Sequence, residues 1–480
     1  MAKAKAKAKA VALVWVCAFV DVCVALSWSS LGLGGGLGSK LVAKGLPAPT
    51  DIQERSIPRI ASGEDVLLSA ATGTGKTLAY AAVPVAQSRP TIVIAPTQFL
   101  CEQIRQVVFE LTEDAPTADE SSERARRSDL FLEVLRGAPR CAVVTPKDIL
   151  FALERRAEED AAREPSTTTT TERTPTETTP SLSRPLPSQE NASSLCLILD
   201  EADALLRPLG KYASEGAKKL RRRFPPPGVR VVEAVIALAG KNDTQLVAAS
   251  ATVGRPLKRL LERLISRPVH VVRSTRADAG TTAASATEER RPIKAPAAID
   301  AHYLAPFLET KKKNSKSNCP SYYALEAVEA ALRATSPRRC LVVLARPEDD
   351  LKRTLFVLRR YGFDARALFD DADDSADDSA ATLGSFRQDS ADKKCLFVAP
   401  LHLLRGIDVP KLDLVLILGR PRTPDDYLHA VGRAGRVGHR GLAVTLAPYA
   451  DVRVLDSWST QLDLHFDKVD NPPDLPPISL

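Results

Sequence analysis

The sequence predicts an α/β protein with two tandem parallel-sheet domains joined by a flexible linker. Short apolar runs alternate with longer stretches rich in Ala, Leu and Arg, and these runs fall into two sets. Short apolar runs bounded by turns, with helical stretches between them, are typical of buried parallel strands in βαβ units. A chain of 480 residues is also long enough to divide into more than one core.

Each set contains five predicted strands, and low-complexity segments separate the units. The predicted strands are 65–69, 91–95, 142–145, 195–199 and 245–249, then 301–304, 340–344, 394–399, 412–418 and 441–446. Polar low-complexity segments bury too little apolar surface to order themselves. The predicted units are a targeting or disordered segment at 1–40, a first domain at 41–273 with a disordered insert at 157–194, a linker at 274–296, a second domain at 297–450 and a C-terminal extension at 451–480.

The composition excludes several classes of protein. Hydrophobic residues make up 44% and charged residues 26%, which rules out wholesale disorder, a collagen-like chain and a polytopic membrane protein. The net charge of +7 permits an anionic partner without requiring one. The eight cysteines form no CxxC pair and no zinc-ligand spacing with the six histidines, so they are predicted to be reduced core residues.

The N-terminus is typical of a targeting sequence. Residues 1–10 read MAKAKAKAKA, an apolar run follows to residue 26, and no acidic residue then occurs between Trp28 and Asp51. This order resembles a signal peptide followed by the acid-poor part of a bipartite plastid presequence. A plastid location is therefore predicted, with a mitochondrial presequence, a signal anchor and a misassigned start (nucleus or cytoplasm) as alternatives. The run is shorter than the ~20 residues of a membrane span, so no stable membrane association of the mature chain is expected.

The strongest local motif follows the first predicted strand and reads Ala70-Ala-Thr-Gly-Thr-Gly-Lys76-Thr77. Small residues let backbone N–H groups wrap a phosphate chain, and the following helix adds its positive dipole end. Lys76 reaches the β- and γ-phosphates in such a loop, and Thr77 can ligate Mg²⁺. The motif predicts ATP binding with Mg²⁺.

A second motif delivers carboxylates at the end of a buried strand. It reads Leu195-Cys-Leu-Ile-Leu-Asp200-Glu201-Ala-Asp203. In a nucleotidase with a phosphate-binding loop, an Asp at this place holds Mg²⁺ and a Glu can activate the attacking water. We therefore predict that Thr77 and Asp200 are metal ligands and that Lys76, Asp200 and Glu201 are catalytic.

Together these motifs resemble the DEAD-box family of ATP-dependent RNA helicases, over roughly residues 41–450. The segment from Gly45 to Gln53 resembles the Q motif, and Arg405-Gly406-Ile-Asp408 resembles half of motif V. Ser250-Ala251-Thr252 matches motif III, and Gly432-Arg433-Ala-Gly-Arg436 resembles motif VI. The resemblance implies two RecA-like domains, and an enzyme that couples ATP hydrolysis to RNA binding and to local duplex unwinding or remodelling.

The resemblance also implies roles for individual residues. Arg433 and Arg436 would act as arginine fingers from the second domain, and Ser250, Ala251 and Thr252 would couple hydrolysis to domain closure. The implied ATP-binding set is Gln53, Ala71, Thr72, Gly73, Thr74, Gly75, Lys76, Thr77 and Asp408. The implied RNA-binding set is Pro96, Thr97, Thr145, Pro146, Arg405 and Gly406.

Several positions depart from the family pattern, and they lie on the RNA side. Motif Ia, usually Pro-Thr-Arg-Glu-Leu, has Gln98 and Phe99; motif Ib, usually Thr-Pro-Gly-Arg, has Lys147 and Asp148. The Thr-Asp opening of motif V is Pro400-Leu401, motif VI has Ala430 after His429, and an acidic tract at 370–380 replaces the Gln-x-x-Arg feature. The upstream aromatic residue that the family places before its Q motif is not identified in the glycine-rich stretch.

These departures predict that ATP binding and hydrolysis are retained and that RNA affinity and unwinding are weaker than in the family, because phosphate contacts dominate nucleic-acid affinity. An ATP-dependent RNA clamp or scaffold without unwinding is the alternative, and a DNA-directed helicase is a more distant one. The basic runs 221–223 and 311–313 with Lys316 are candidate backbone-binding surfaces, but solvated surface charge is the preferred interpretation, and no aromatic interleaving indicates a stacking platform there. The expected partners are RNA and protein cofactors, with the chain itself a monomer.

Overall fold

The computed structural model describes residues 27–33, 36–70, 74–112, 123–163, 194–209, 213–251, 253–274, 299–307, 322–346, 349–368, 394–404, 412–432 and 441–478. Residues 275–296 of the proposed linker, the acidic tract at 370–380, the basic run at 311–316 and residues 164–193 of the insert lie outside these ranges.

Two parallel sheets form the centres of the two domains. The first has the strand order β3-β2-β4-β5-β1-β6 and the second β13-β7-β12-β11-β8-β10-β9. The strands of the first are β1 Val66–Ser69, β2 Thr91–Ile94, β3 Cys141–Val144, β4 Leu195–Leu199, β5 Thr244–Ser250 and β6 His270–Arg273. Those of the second are β7 Ile299–Phe307, β8 Arg339–Leu344, β9 Ala365–Ala367, β10 Cys395–Pro400, β11 Leu414–Leu418, β12 Gly441–Pro448 and β13 Phe466–Lys468.

Helices cover both faces of each sheet, as parallel βαβ connections require. In the first domain they are α1 Gly36–Ala43, α2 Asp51–Ala61, α3 Lys76–Ala86, α4 Gln98–Thr112, α5 Glu123–Leu135, α6 Pro146–Arg163, α7 Ala202–Leu206, α8 Glu215–Arg223, α9 Pro227–Ala239 and α10 Arg255–Ile265. In the second they are α11 Tyr322–Thr335, α12 Leu351–Arg360, α13 Pro424–Val431, α14 Tyr449–Ser457 and α15 Ser459–Leu462. Each sheet separates two apolar clusters, one on either face.

This architecture confirms the predicted fold class, and all ten predicted strands occur within a few residues of their expected bounds. Three strands were not predicted: β6, β9 and β13. All three lie at sheet edges, where a strand pairs on one side only and is covered incompletely. Their burial is correspondingly partial, as in His270–Arg273, where only Val272 is buried. Without a continuous apolar run, their sequences gave no strand signal.

The exclusion of residues 1–40 from the fold is wrong for the described part of that segment. Trp28, Leu31 and Leu41 are buried in the apolar cluster of the first domain. The indole N–H of Trp28 also donates to the carbonyl of Leu46 at 2.8 Å. The first domain therefore includes residues 27–33 and 36–40, which sequence reasoning had assigned to a presequence.

Two further boundaries need correction. Helix α6 continues to Arg163, so the insert predicted to begin at residue 157 is helical over its first turns. The C-terminal segment is not a separate extension, because β13 pairs with β7 and Leu475 is buried in the second domain. Among the described residues, no helix is long and apolar enough to cross a bilayer. Four of the five described cysteines are buried, and all five are free.

Candidate active site

The carboxyl ends of parallel strands meet at one edge of a sheet, and ligands bind there in α/β folds. In the first sheet β4, β5 and β1 are neighbours, and β3 and β2 form the flank beyond them. The loops after β1, β4 and β5 carry the phosphate-loop, DEAD and motif III residues. Those after β2 and β3 carry motifs Ia and Ib. The topology thus places the predicted nucleotide-binding residues and the predicted RNA-binding residues on two sides of this edge, which are called the nucleotide side and the RNA side below.

Gln53 ties the start of α2 to the phosphate-binding loop. Its side-chain carbonyl accepts from the backbone N–H of Thr50 at 2.8 Å, and its amide donates to the carbonyl of Gly75 at 3.1 Å. The Thr50 hydroxyl donates to the carbonyl of Thr74 at 2.9 Å. Because Gln53 is buried, its amide orientation is set by these partners.

Gly75 is required where the loop enters α3. Its φ is +88°, and a Cβ there would stand 2.3 Å from the side-chain nitrogen of Gln53. Both the left-handed backbone and the close approach exclude a side chain. The next residue, Lys76, is buried and its ammonium donates to the carbonyl of Ala70 at 2.6 Å. The ammonium therefore lies across the loop that is expected to hold phosphates.

Asp200 lies at the end of β4 with both carboxylate oxygens engaged. Tyr80 donates its hydroxyl to one oxygen at 3.0 Å, and the backbone N–H of Glu201 donates to the other at 3.0 Å. Burial raises the pKa of Asp200 above its ordinary value, and the nearby charge of Lys76 opposes that shift. Burial and the charge of Asp200 in turn raise the pKa of Tyr80, which keeps this phenol a donor.

These oxygen donors fit Mg²⁺. This ion is usually bound through one or two carboxylates, substrate phosphates and water rather than by an all-protein cage. Asp200 and the Thr77 hydroxyl supply that kind of ligand beside the phosphate loop. Among the described residues, no group of three or more His, Cys, Asp or Glu side chains is placed to hold a metal ion.

Glu201 adopts a left-handed backbone conformation, with φ 47° and ψ 51°, immediately before α7. Such a conformation costs a non-glycine residue about 1–3 kcal/mol and is concentrated at functional sites. Glu201 is also buried. The strained turn supports a functional role for Glu201.

A hydrogen bond joins the end of β5 to α7, the short helix that follows β4. The hydroxyl of Ser250 donates to a carboxylate oxygen of Asp203 at 2.7 Å. Ala251 follows Ser250 at the end of the strand, and Thr252 lies outside the described residues. A movement of the motif III turn would therefore shift the Asp203 carboxylate of the DEAD motif.

On the RNA side, the two altered motifs bind each other. The amide nitrogen of Gln98 donates to Asp148 Oδ2 at 2.7 Å. The same oxygen accepts from the backbone N–H of Thr145 at 2.9 Å and from its hydroxyl at 2.8 Å. Asp148 is buried, and its other oxygen lies 3.7 Å from the guanidinium of Arg127.

These contacts use up polar groups that the family resemblance assigned to RNA. The Thr145 hydroxyl donates to the carboxylate of Asp148, which lies in the first turn of α6. Pro146 is the first residue of that helix. After β2, the Thr97 hydroxyl accepts from the backbone N–H of Leu100 at 3.2 Å, and Pro96 is half-buried beside it. The structure thus places Pro96, Thr97, Thr145 and Pro146 on one flank, with a buried carboxylate in their midst.

The remaining predicted residues lie outside the described part of the chain: Ala71, Thr72, Gly73, Thr252, Arg405, Gly406, Asp408, Arg433 and Arg436. Helix α13, which precedes motif VI, is described, and its Tyr427 and His429 are buried. The basic run at 221–223 forms the end of α8, a helix with no buried residue. Phe224 directly follows the run, is exposed, and lies under the guanidinium of Arg223 at 5.4 Å from its ring centroid.

Two residues at the site were missed in the sequence. Trp28 stands 17 residues before Gly45, and its indole donates to the carbonyl of Leu46 in the Q-motif segment. It therefore has the position at which the family resemblance places an upstream aromatic residue. Tyr80 is one helical turn beyond Lys76, on the same face of α3. That spacing was its one available signal, because a tyrosine at such a position is usually a core residue.

The fold and the site define a class: a nucleotidase with a phosphate-binding loop, built from two tandem RecA-like domains. The sequence model of the DEAD/DEAH box helicase family matches residues 50–260, and that of the helicase conserved C-terminal domain matches 324–438. Together they cover well over half of the chain. It therefore belongs to the DEAD-box family of ATP-dependent RNA helicases.

Curated relatives are distant but match over most of this chain. The chain is 22% identical to the DEAD-box ATP-dependent RNA helicase RhpA of Helicobacter pylori, over 91% of this chain and 73% of that protein. It is 24% identical to the ATP-dependent RNA helicase eIF4A of Eremothecium gossypii, over 87% of each.

Solved structures confirm the fold. Saccharomyces cerevisiae Dbp5 bound to RNA and ADP BeF3 matches with a TM-score of 0.57 and 18% identity, covering 92% of this chain and 95% of that one. Mss116 bound to ssRNA and UDP-BeF matches with a TM-score of 0.62 and 16% identity, covering 93% and 80%.

Proposed function

We propose that this DEAD-box protein hydrolyses ATP with Mg²⁺ and couples hydrolysis to RNA bound more weakly than is usual in its family. The observation that carries the proposal is the contrast between the intact Lys76–Asp200–Glu201 site and the paired Gln98 and Asp148 at the RNA flank. The first arrangement supports catalysis. The second supports a loss of phosphate contacts.

Phosphoryl transfer depends on positioning and charge neutralisation more than on covalent chemistry. Lys76 would neutralise the phosphates, and Mg²⁺, held by Thr77 and Asp200, would supply further positive charge. Glu201 would accept the proton of the attacking water as its oxygen bonds to the γ-phosphorus and the bond from that phosphorus to the β–γ bridging oxygen breaks, which releases ADP and phosphate. Arg433 and Arg436 would approach from the second domain when the domains close, which makes hydrolysis depend on closure.

The structural observation also favours a second candidate, the ATP-dependent clamp or scaffold that binds RNA without unwinding it. The buried carboxylate of Asp148 accepts from the amide of Gln98 and lies 3.7 Å from the guanidinium of Arg127, so it competes with a phosphate for both groups. Bending of a bound strand needs firm contacts on both domains, so weaker contacts would reduce unwinding before they reduce ATP hydrolysis.

The test is steady-state ATP hydrolysis by the full chain with and without single-stranded RNA, alongside Glu201→Gln. We expect hydrolysis that RNA stimulates modestly and that the variant lacks. A short-duplex unwinding assay then separates helicase from clamp. No hydrolysis by folded wild-type protein would refute the enzymatic proposal, and tight RNA binding with a steep salt dependence and brisk unwinding would refute the weakened RNA site.

Partners and location belong to the same proposal. We expect a monomer that works with protein cofactors, because such cofactors could supply RNA contacts that the changed RNA flank lacks. We also propose plastid targeting, from the basic start and the apolar run within residues 1–26 alone, because the acid-poor stretch that follows contributes Trp28, Leu31 and Leu33 to the core of the first domain. Mass-spectrometric sequencing of the mature N-terminus tests this. A chain beginning at Met1 in the purified endogenous protein would rule out a cleaved presequence.

A further inference from the structure

Phe99 belongs to neither apolar cluster of the domain that contains it. It lies on α4 and is only 8% exposed. The next two residues, Leu100 and Cys101, belong to an apolar cluster of the first domain. Phe99 instead belongs to a cluster whose other buried members all come from the second domain.

That cluster contains residues from the loop after β10. Leu401 and Leu404 are buried there, and Leu401 begins the turn at the carboxyl end of the strand. Pro400-Leu401 stands where motif V of the family opens with Thr-Asp, and Phe99 stands where motif Ia has Glu. One polar-to-apolar replacement in each domain has thus placed two side chains in a single apolar cluster.

We infer that Phe99 is a positioning residue that holds the second domain against the first through this apolar contact. Burial of Phe99 between the two domains would then favour closure of these domains, which otherwise depends on RNA contacts. Domains joined by a flexible linker move relative to each other unless their interface is apolar enough to hold them. The test by ATP hydrolysis rests on the proposed function, whereas the test by domain arrangement does not.

The size of the effect follows from the burial of one aromatic side chain. Separating the domains would return Phe99 to water. Full burial of a Phe side chain shifts an equilibrium by roughly 10- to 100-fold. Without RNA, wild-type protein would therefore be closed far more often than a variant that lacks this side chain.

The experiment compares Phe99→Glu, Phe99→Ala and Phe99→Leu with wild-type full chain. Glu restores the residue type of the family, Ala removes the ring without adding charge, and Leu keeps an apolar contact. Phe224→Glu is the matched control, because Phe224 lies in the same domain and is 64% exposed. Since Phe99 lies outside the clusters of its own domain, these changes should leave that domain folded.

The first readout is the radius of gyration, measured by small-angle X-ray scattering with a non-hydrolysable ATP analogue and no RNA. We expect Phe99→Glu and Phe99→Ala to be more extended than wild type, and Phe99→Leu and Phe224→Glu to match it. An unchanged radius of gyration for Phe99→Ala would overturn the inference whatever the enzyme does.

The second readout is steady-state ATP hydrolysis. Without RNA, kcat should fall roughly 10-fold or more in Phe99→Ala while KM for ATP changes little, because all of the predicted ATP-binding residues except Asp408 lie in the first domain. Saturating RNA should restore most of the rate, and Phe99→Leu should need no rescue. A fall in kcat that RNA does not rescue would indicate a structural defect and contradict a role in positioning. If wild type hydrolyses no ATP, the proposed function fails, and the scattering experiment still decides the inference.

Discussion

The nucleotide side and the RNA side of the first sheet are built on the same edge and have been changed differently. On the nucleotide side, Lys76, Asp200 and Glu201 retain their family identities. The ammonium of Lys76 donates to the carbonyl of Ala70, and the backbone N–H of Glu201 donates to the carboxylate of Asp200. On the RNA side, Gln98 and Asp148 have lost theirs and bond to each other. A fold fixes where loops meet, and each pair of loops can then change its chemistry independently.

The largest expected effect comes from Glu201→Gln, which tests the nucleotide side directly. The amide cannot accept the proton of the attacking water, so hydrolysis should fall by about 10²–10⁴-fold while ATP binding remains. Single-turnover hydrolysis and binding of a fluorescent ATP analogue measure the two effects separately. Normal hydrolysis by this variant would mean that another group is the base.

Lys76→Ala should follow, with a loss of about 10²–10³-fold in kcat/KM. The substitution removes a positive charge beside the phosphates, so binding and hydrolysis should both weaken. The nucleotide dependence of thermal unfolding reports binding, since a ligand that binds only the folded state stabilises it. A Lys76→Ala protein with wild-type stabilisation by ATP would place the phosphates elsewhere.

A smaller effect is expected on the RNA side and would sharpen the comparison. Gln98→Arg alone should change RNA affinity little, because the new guanidinium would pair with Asp148. Gln98→Arg combined with Asp148→Asn should free it, because Asn keeps an oxygen for the Thr145 cap. The double variant should bind single-stranded RNA more tightly and increase the salt slope by about 1.

Fluorescence anisotropy over a range of salt concentrations measures this slope, with Asp148→Asn alone as the control. Equal slopes for the double variant and the control would show that this flank does not face RNA. The ATP hydrolysis rate without RNA should be the same in Gln98→Arg, Asp148→Asn and the double variant, because their changes lie on the RNA side of the first sheet's edge and not on the nucleotide side.

The smallest effect concerns the second domain, which serves as an outside reference for the two sides. His302 is buried with its Nδ1 2.8 Å from the Tyr427 hydroxyl, and burial lowers the pKa of His302 to about 4. The unfolded chain binds the proton more readily, so stability is full above the ordinary histidine pKa and falls as the pH drops toward 4. The loss is up to about 3 kcal/mol.

His302→Gln removes the titration and keeps a hydrogen-bonding group near Tyr427. Denaturant unfolding between pH 7 and pH 4 should therefore show a flatter decline for the variant than for wild type. Parallel declines would mean that His302 is protonated in the folded state. ATP binding at pH 7 should not differ, because the first domain is unchanged.

Much of the architecture was predictable because buried parallel strands need continuous apolar runs. Leu195–Leu199 is one such run, and its strand has the predicted bounds. The edge strand His270–Arg273 has no such run, and its sequence carried no signal. Trp28 was missed for a different reason: it follows an apolar leader-like segment, and only its packing against Leu31 and Leu41 shows that it belongs to the fold.

The candidate site divides in the same way. The phosphate loop and the DEAD carboxylates follow from short motifs, because backbone geometry and metal ligation constrain residue type at neighbouring positions. Tyr80 has no motif, and its bond to Asp200 depends on how α3 packs beside β4.

The sequence by itself determined the two parallel-sheet domains, the nucleotide-binding residues and the departures at motifs Ia, Ib and V, since all of these depend on local order along the chain. Only the tertiary structure decided that Gln98 and Asp148 are partners across 50 positions, and that Phe99 packs with the second domain. Contacts between distant segments depend on strand order and helix packing. One sequence, read along its length, contains no information about which altered residues compensate one another.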